Sequence, residues 1–194
     1  MSYEPVDNGE LAAVVTYLEM RSPPDQQLPT SPLTLKRIEL PQPAHYRKLF
    51  HAIGGPWLWF SRLVMDDAHL ASIIQHPKVE LDAVVDESER EVGMLELDLR
   101  EPRECELSFI GLVPELTGKG HGRWLLAEAV NRAWRDGVDR VHVHTCSLDH
   151  PAALSAYRRA GFAPFKRAIE RFPDPRLLGI LPRDCAPQVP LLES

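Results

Sequence analysis

Cysteine is scarce in this chain: Cys105, Cys146 and Cys185 are the only three among 194 residues. Three thiols make no disulfide framework, and free thiols point to a reducing compartment, so the expected location is cytoplasmic. A basic excess is missing as well. Twenty-two Lys and Arg stand against 28 Asp and Glu, for a net charge of −6. That balance argues against nucleic acid as a partner, which calls for a basic stripe. It suits a cationic amine substrate, and it suits plain solubility equally. Long apolar runs are also lacking. The run over residues 11–18 is too short to span a bilayer, has Glu10 and Glu19 at its ends, and carries neither a basic lead nor a cleavage site. No membrane partner is expected. With 44% hydrophobic and 26% charged residues and no internal repeat, the composition is that of one globular domain with appendages.

Two familiar phosphate loops are absent too. A Walker loop needs a glycine five positions before its Gly-Lys pair and a hydroxyl residue after it, whereas Gly118-Lys119 is followed by Gly120. A dinucleotide fingerprint needs Gly-x-Gly-x-x-Gly, but Gly118, Gly120 and Gly122 are evenly spaced. What is present is a run from Leu112 and Val113 through Thr117, Gly118, Lys119, Gly120, His121 and Gly122 to Arg123, set between a strand pattern and a helix pattern. Alternate glycines let backbone N–H groups turn toward an anion without obstruction by Cβ atoms. The following helix points its positive end at the same place, so a phosphate or pyrophosphate is the expected guest.

Periodicity places the elements. Residues 11–20 favour a strand through their β-branched centre, although a short helix also fits. Residues 22–32 contain four prolines and read as a linker. An opening core strand follows around Leu33, Leu35 and Arg37. Tyr46, Leu49, Phe50 and Ile53 recur at helical spacing, with Gly54-Gly55 as the stop. Asp66 and Asp67 cap a second helix that ends before Pro77. Strands are predicted over residues 79–86, 92–100 and 106–113, a helix over 120–136 ended by Gly137, and a strand over 140–145. Pro151 opens a short helix closed by Gly161, and a final hairpin strand spans 165–172. The tail from Pro173 holds five prolines and reads as irregular, draped over the domain. The expected domain layout is therefore an N-terminal strand and linker (1–32), a main domain (33–172) and a tail (173–194).

The glycine run resembles the Val-x-Pro-x-x-[Arg/Gln]-Gly-x-Gly-x-Gly/Ala motif of the GNAT superfamily of acyl-CoA N-acyltransferases, with one position missing from its spacing. Thr117 stands where the family has Arg or Gln. A second block, His150 to Phe162, is similar to Asn-x-x-Ala-x-x-x-Tyr-x-x-x-Gly-Phe, with His150 in place of Asn. The resemblance implies an α/β (α+β) GNAT acyltransferase fold: a central mixed, mostly antiparallel sheet flanked by helices. It implies an N-acetyltransferase that moves the acetyl group of acetyl-CoA to a primary amine of a small molecule or peptide. A longer acyl group, and a catalytically weak CoA-binding sensor or interaction module, remain as alternatives. A homodimer stays open.

By the same resemblance, Tyr157 lies beside the CoA sulfur as general acid, the competing reading being a tyrosine that packs with Ala153 and Ala160. Glu106 matches the base glutamate of histone-type members, and its strand face carries Ser108, Ile110 and Leu112. Glu96 on the preceding strand is the reserve. Backbone groups near Leu112 and Val113 meet the carbonyl and pantetheine arm, and Thr145 borders the same opening. The loop between the first two helices commonly covers the acceptor in this superfamily. Here it holds Trp57 and Trp59, whose indole faces attract an ammonium by about 0.5–2 kcal/mol, unless both rings pack into the core. His142 and His144 share a strand face without a third ligand at suitable spacing, so no metal is expected. Cys146 has no discernible base to make it a nucleophile.

Overall fold

Residues 79–98 hold two runs rich in Val, Leu, Ala and Met, interrupted by Glu80, Asp82 and Glu96, and buried at most positions on both faces. In the computed structural model, which describes residues 3–25 and 27–193, these runs are β3 (Val79–Val85) and β4 (Glu91–Asp98). Their turn is pinned by Asp86, whose side chain accepts from the backbone N–H groups of Ser88 and Arg90. Beside them lie β2 (Thr34–Arg37) and β5 (Glu104–Leu112), so four strands form an antiparallel meander.

Helices α1 (Pro43–Gly54) and α2 (Asp67–Ile74) follow β2 in the chain and cover one face, where Tyr46, Phe50, Ile53 and Leu70 pack on Leu81 and Met94. Asp66 caps α2 by accepting from the N–H of His69 at 2.8 Å. Helix α3 (His121–Ala133) covers the other face through Leu125, Leu126, Ala129, Val130 and Ala133. It carries the chain to β6 (Arg140–Cys146), which runs parallel to β5. A short α4 (Ala153–Arg159) then leads into β7 (Ala163–Pro173).

The first strand takes an unanticipated place. β1 (Glu10–Met20) lies between β6 and β7, antiparallel to both, so the sheet order is β2-β3-β4-β5-β6-β1-β7. Leu18 and Met20 enter the core beneath α3. β7 is therefore no hairpin strand: its partner is β1, from Glu10 opposite Pro173 to Glu19 opposite Ala163. Helix ends differ in smaller ways from the sequence reading. Gly55 stays right-handed (φ −51) and continues into a 3-10 turn, while Leu58 adopts the left-handed conformation (φ 59). α3 stops at Ala133 because Trp134 turns extended and its indole N–H reaches Met20 Sδ at 3.2 Å. α4 begins at Ala153, with Pro151 in the turn before it.

The tail is irregular but anchored. Arg176, 2% exposed, forms a two-pronged pair with Asp174 (3.0 and 2.6 Å) and donates to the carbonyls of Cys185, Ala186 and Val189. Leu181 and Ala186 pack on Leu58, so the tail buttresses the tryptophan-bearing loop.

β5 and β6 pair only from Glu104 opposite Arg140 to Glu106 opposite His142. A register shift at Ser108 bends β5 just beyond this point. Both strands continue unpaired with each other, and the gap between them opens the site.

Candidate active site

A cavity of about 1100 Å³ runs through the gap, with the glycine run at one end and the tryptophan loop at the other. Gly118 (φ +78) and Gly120 (φ +85) take the left-handed conformation that favours glycine, and a Cβ built at Gly118, Gly120 or Gly122 would meet nothing within 4 Å. All three line the cavity together with Thr117 and Arg123. The N–H groups of His121 and Gly122 open α3 without an intrahelical acceptor, that of Arg123 donates back to Gly120 O at 3.2 Å, and no acidic residue stands in the first turn. An anion fits this end. Lys119 and His121 sit in the same turn but outside the cavity wall, His121 Nδ1 lying 3.5 Å from Ser31 Oγ in the linker.

At the middle, Leu112 and Val113 part company. Val113 N–H donates to Val92 O at 2.9 Å, toward β4. Successive strand N–H groups point to opposite edges, so the N–H of Leu112 points into the gap left by β6. Tyr157 lines the cavity from α4, its ring edge-on to Phe162 at 5.9 Å. Its hydroxyl makes no hydrogen bond among the described residues, and burial, followed by the Asp149 carboxylate, pushes its pKa above the ordinary tyrosine range.

Asp149, which sequence reasoning missed, organises the far wall. It accepts from Thr145 Oγ1 (2.7 Å), the N–H of Cys146 (2.8 Å) and Trp59 Nε1 (3.1 Å). Its only sequence signal is an Asp-His-Pro turn directly after a strand. Thr145 thus lines the cavity with its hydroxyl committed to Asp149. His150 also lines it; its Nδ1 accepts from the N–H of Ala152 at 3.1 Å, and its ring stands edge-on to Trp57 at 4.9 Å.

Trp59 serves both readings of the tryptophan loop. It packs against Phe50 and Phe109 in the core and contributes to the cavity wall. Its approach needs a glycine, since a Cβ at Gly54 would lie 2.3 Å from the indole. Trp57, Phe60, Phe172 and Glu170 complete this aromatic, acidic end.

The two carboxylates singled out from the sequence are not brought to the cavity wall. Glu96 is fully buried under α1, where its oxygens accept from Tyr46 Oη (2.5 Å) and Arg62 Nη2 (2.7 Å). Burial raises its pKa against the opposing pull of Arg62 and Tyr46. Glu106 stands behind the wall, with Oε1 3.3 Å from Nδ1 of His144, and that contact lowers its pKa. His144 itself lines the cavity. The thiol of Cys146, also in the wall, is pushed up to about 11 by burial, which keeps it protonated and inert. Among the described residues no group of three or more His, Cys, Asp or Glu is placed to hold a metal ion, and no helix is long and apolar enough to cross a membrane.

Residues 47–162 match the sequence profile described as "Acetyltransferase (GNAT) family". A mycothiol acetyltransferase from Jonesia denitrificans is 37% identical over 87 residues, which cover 44% of this chain and 27% of that protein. N-alpha-acetyltransferase RimI from Mycobacterium tuberculosis is 41% identical over 70 residues, covering 36% of this chain and 42% of that protein. The chain thus spans less than half the length of either relative. The crystal structure of a GCN5-related N-acetyltransferase from Sphaerobacter thermophilus is similar in fold, with a TM-score of 0.60 at 21% identity over 82% of this chain and 51% of that one.

Proposed function

Because the chain belongs to the GNAT acetyltransferase family, we propose that it moves the acetyl group of acetyl-CoA to a primary amine by direct attack in a ternary complex. One observation carries this reading: a single cavity joins an anion cradle, an unpartnered tyrosine hydroxyl and an aromatic, acidic mouth. The open Cβ positions at Gly118, Gly120 and Gly122 support a pyrophosphate held by backbone N–H groups, with Arg123 as a basic side chain beside them in the wall. Acetyl-CoA bound there supplies the activated thioester.

The N–H of Leu112 then stabilises charge at the carbonyl oxygen. Tyr157, a phenol that is protonated near neutral pH in any case and held further in that form by burial, donates to the departing sulfur. Trp57, Trp59 and Glu170 form the wall that receives a cationic amine. The names of the two relatives, one an N-alpha-acetyltransferase and one a mycothiol acetyltransferase, direct the first assays to peptide α-amines and small amines. The free thiols support a cytoplasmic location.

The test is calorimetry with acetyl-CoA followed by free-thiol release with a panel of primary amines. Binding and amine-dependent thiol release are expected, and Gly120→Val, forced to carry a β-branched side chain at φ +85, is expected to abolish binding. Binding without release on any amine would make the chain a CoA-binding sensor. Absence of binding by the intact protein would overturn the reading.

A further inference from the structure

The notable feature of the acceptor side is a histidine backed by a carboxylate. β5 ends its pairing with β6 at Glu106 opposite His142, and His144, two residues on, shares the face of His142. His144 is therefore the first β6 side chain on that face beyond the point where the strands part. Its Nδ1 lies 3.3 Å from Glu106 Oε1, its side chain is 49% exposed, and it belongs to the same cavity wall as Tyr157 and Glu170. A carboxylate at Nδ1 holds the proton on that nitrogen and leaves the lone pair of Nε2 for another partner.

We propose that His144 is the base that takes the proton from the acceptor ammonium, and that Glu106 is its positioning residue. The proposal rests on the acetyl-transfer reading above. One proton leaves the ammonium for His144 Nε2 and passes to solvent. The freed lone pair on nitrogen forms the C–N bond at the thioester carbonyl. As the C–S bond breaks, its electron pair stays on sulfur, which takes the Tyr157 proton. The second proton lost by nitrogen returns to the Tyr157 oxygen. The products are an amide, a free thiol and one released proton.

The groups around His144 favour its charged form once it has taken the proton. Glu106 faces it from β5, Glu170 from β7 and Asp149 from the turn after β6, and all three raise its pKa. Tyr17 of β1 lies against its ring at 5.8 Å, and the ammonium of Lys166 lies 4.9 Å from the tyrosine ring centre. Burial of the His144 ring opposes the shift without reversing it, and His142, on its own strand, has its pKa lowered by burial while its Nε2 faces Glu104 at 3.5 Å. Glu106 by contrast lies behind the cavity wall and has its pKa lowered by His144, which suits a partner to the base and not the base itself.

The experiment is the pH profile of kcat/KM for acetyl transfer to a peptide with a free α-amine, with hydroxylamine as a second acceptor that is already unprotonated at neutral pH. His144→Gln is expected to lower turnover on the peptide ~10²-fold or more near neutral pH, with hydroxylamine turnover and acetyl-CoA affinity close to wild type. Glu106→Gln removes the carboxylate that raises the histidine pKa, so the acid limb of the profile moves to lower pH. His142→Gln controls for general disturbance of the face and leaves the profile unchanged. A wild-type profile in His144→Gln overturns the proposal, as does a Glu106→Gln variant that loses as much turnover as His144→Gln without moving the limb. A wild type that transfers to neither acceptor overturns the acetyl-transfer reading itself.

Discussion

Tyr157 and Glu80 illustrate how one side chain's surroundings set its chemistry. Tyr157 keeps its ring among Phe162, Ala156 and Ala160 while its hydroxyl remains free of protein partners. On the proposed reaction, Tyr157→Phe should therefore leave packing and acetyl-CoA affinity in place and remove only the group assigned as proton donor. Steady-state kinetics should show kcat down by ~10²–10⁴-fold with KM for acetyl-CoA little changed; unchanged kcat would assign the residue to packing. Glu80, on β3, shows the opposite case, a carboxylate fully engaged by Arg135 and Arg37 at 2.7 and 2.8 Å. Those arginines lower its pKa from 4.5 to about 2. A depressed carboxylate contributes stability above its unfolded pKa and loses it as pH falls through the folded one. Glu80→Gln should thus melt below wild type at neutral pH, and the two melting curves should converge between pH 4.5 and about 2; a constant difference across that window would show that the ion pairs contribute nothing.

At the scale of elements, the tail and the tryptophan loop act as one unit. Gln188 Nε2 donates to Pro56 O at 2.7 Å and the Cys185 thiol to Gly55 O at 2.8 Å, on the loop where Leu58 holds a strained left-handed conformation. Arg176 ties the tail's own carbonyls together from within. Arg176→Ala leaves the buried Asp174 carboxylate with only the backbone N–H of residue 176 and takes the side-chain donor from the carbonyls of Cys185, Ala186 and Val189. The expected loss is ~3–5 kcal/mol, the usual cost of breaking a buried ion pair. The expected kinetic sign is a raised KM for the amine with acetyl-CoA binding retained, because the cradle lies at the opposite end of the cavity. Equal damage to both substrates would mean that the tail supports the whole domain and not the loop.

For the molecule as a whole, β1 is the strand on which the second half of the sheet depends. It joins β6 to β7, and Leu18, fully buried, reaches the core under α3. Leu18→Ala should cost ~2–5 kcal/mol, the range for emptying a well-packed leucine site. Chemical denaturation measures this directly, and a cost under about 1 kcal/mol would mean that β1 is only loosely docked.

What could be read from residues alone was what depends on neighbours in the chain. The glycine run, the apolar stripe of α3, the Asp66 cap and the Tyr157 block are local patterns, in which turn geometry and helical period are set within a few residues. The order of strands and helices from residue 33 to 172 follows from the same signals. Pairing is not local. Residues 11–20 read equally as a first strand wherever they lie, and only the contact of Leu18 and Met20 with the core under α3 put that strand between β6 and β7 and gave β7 a partner other than a hairpin mate. The same holds for polar roles. Glu96 and Glu106 look alike on adjacent strands, yet burial beside Arg62 and Tyr46 removed one from the cavity, and the other stands outside the cavity wall against His144, which lines it. Asp149 had no helix or strand pattern to mark it, because its importance lies in three donors drawn from β6 and a distant loop. Turns and periods are decided by bonded neighbours, whereas the proton affinity and reach of a side chain are decided by whatever the folded chain packs around it.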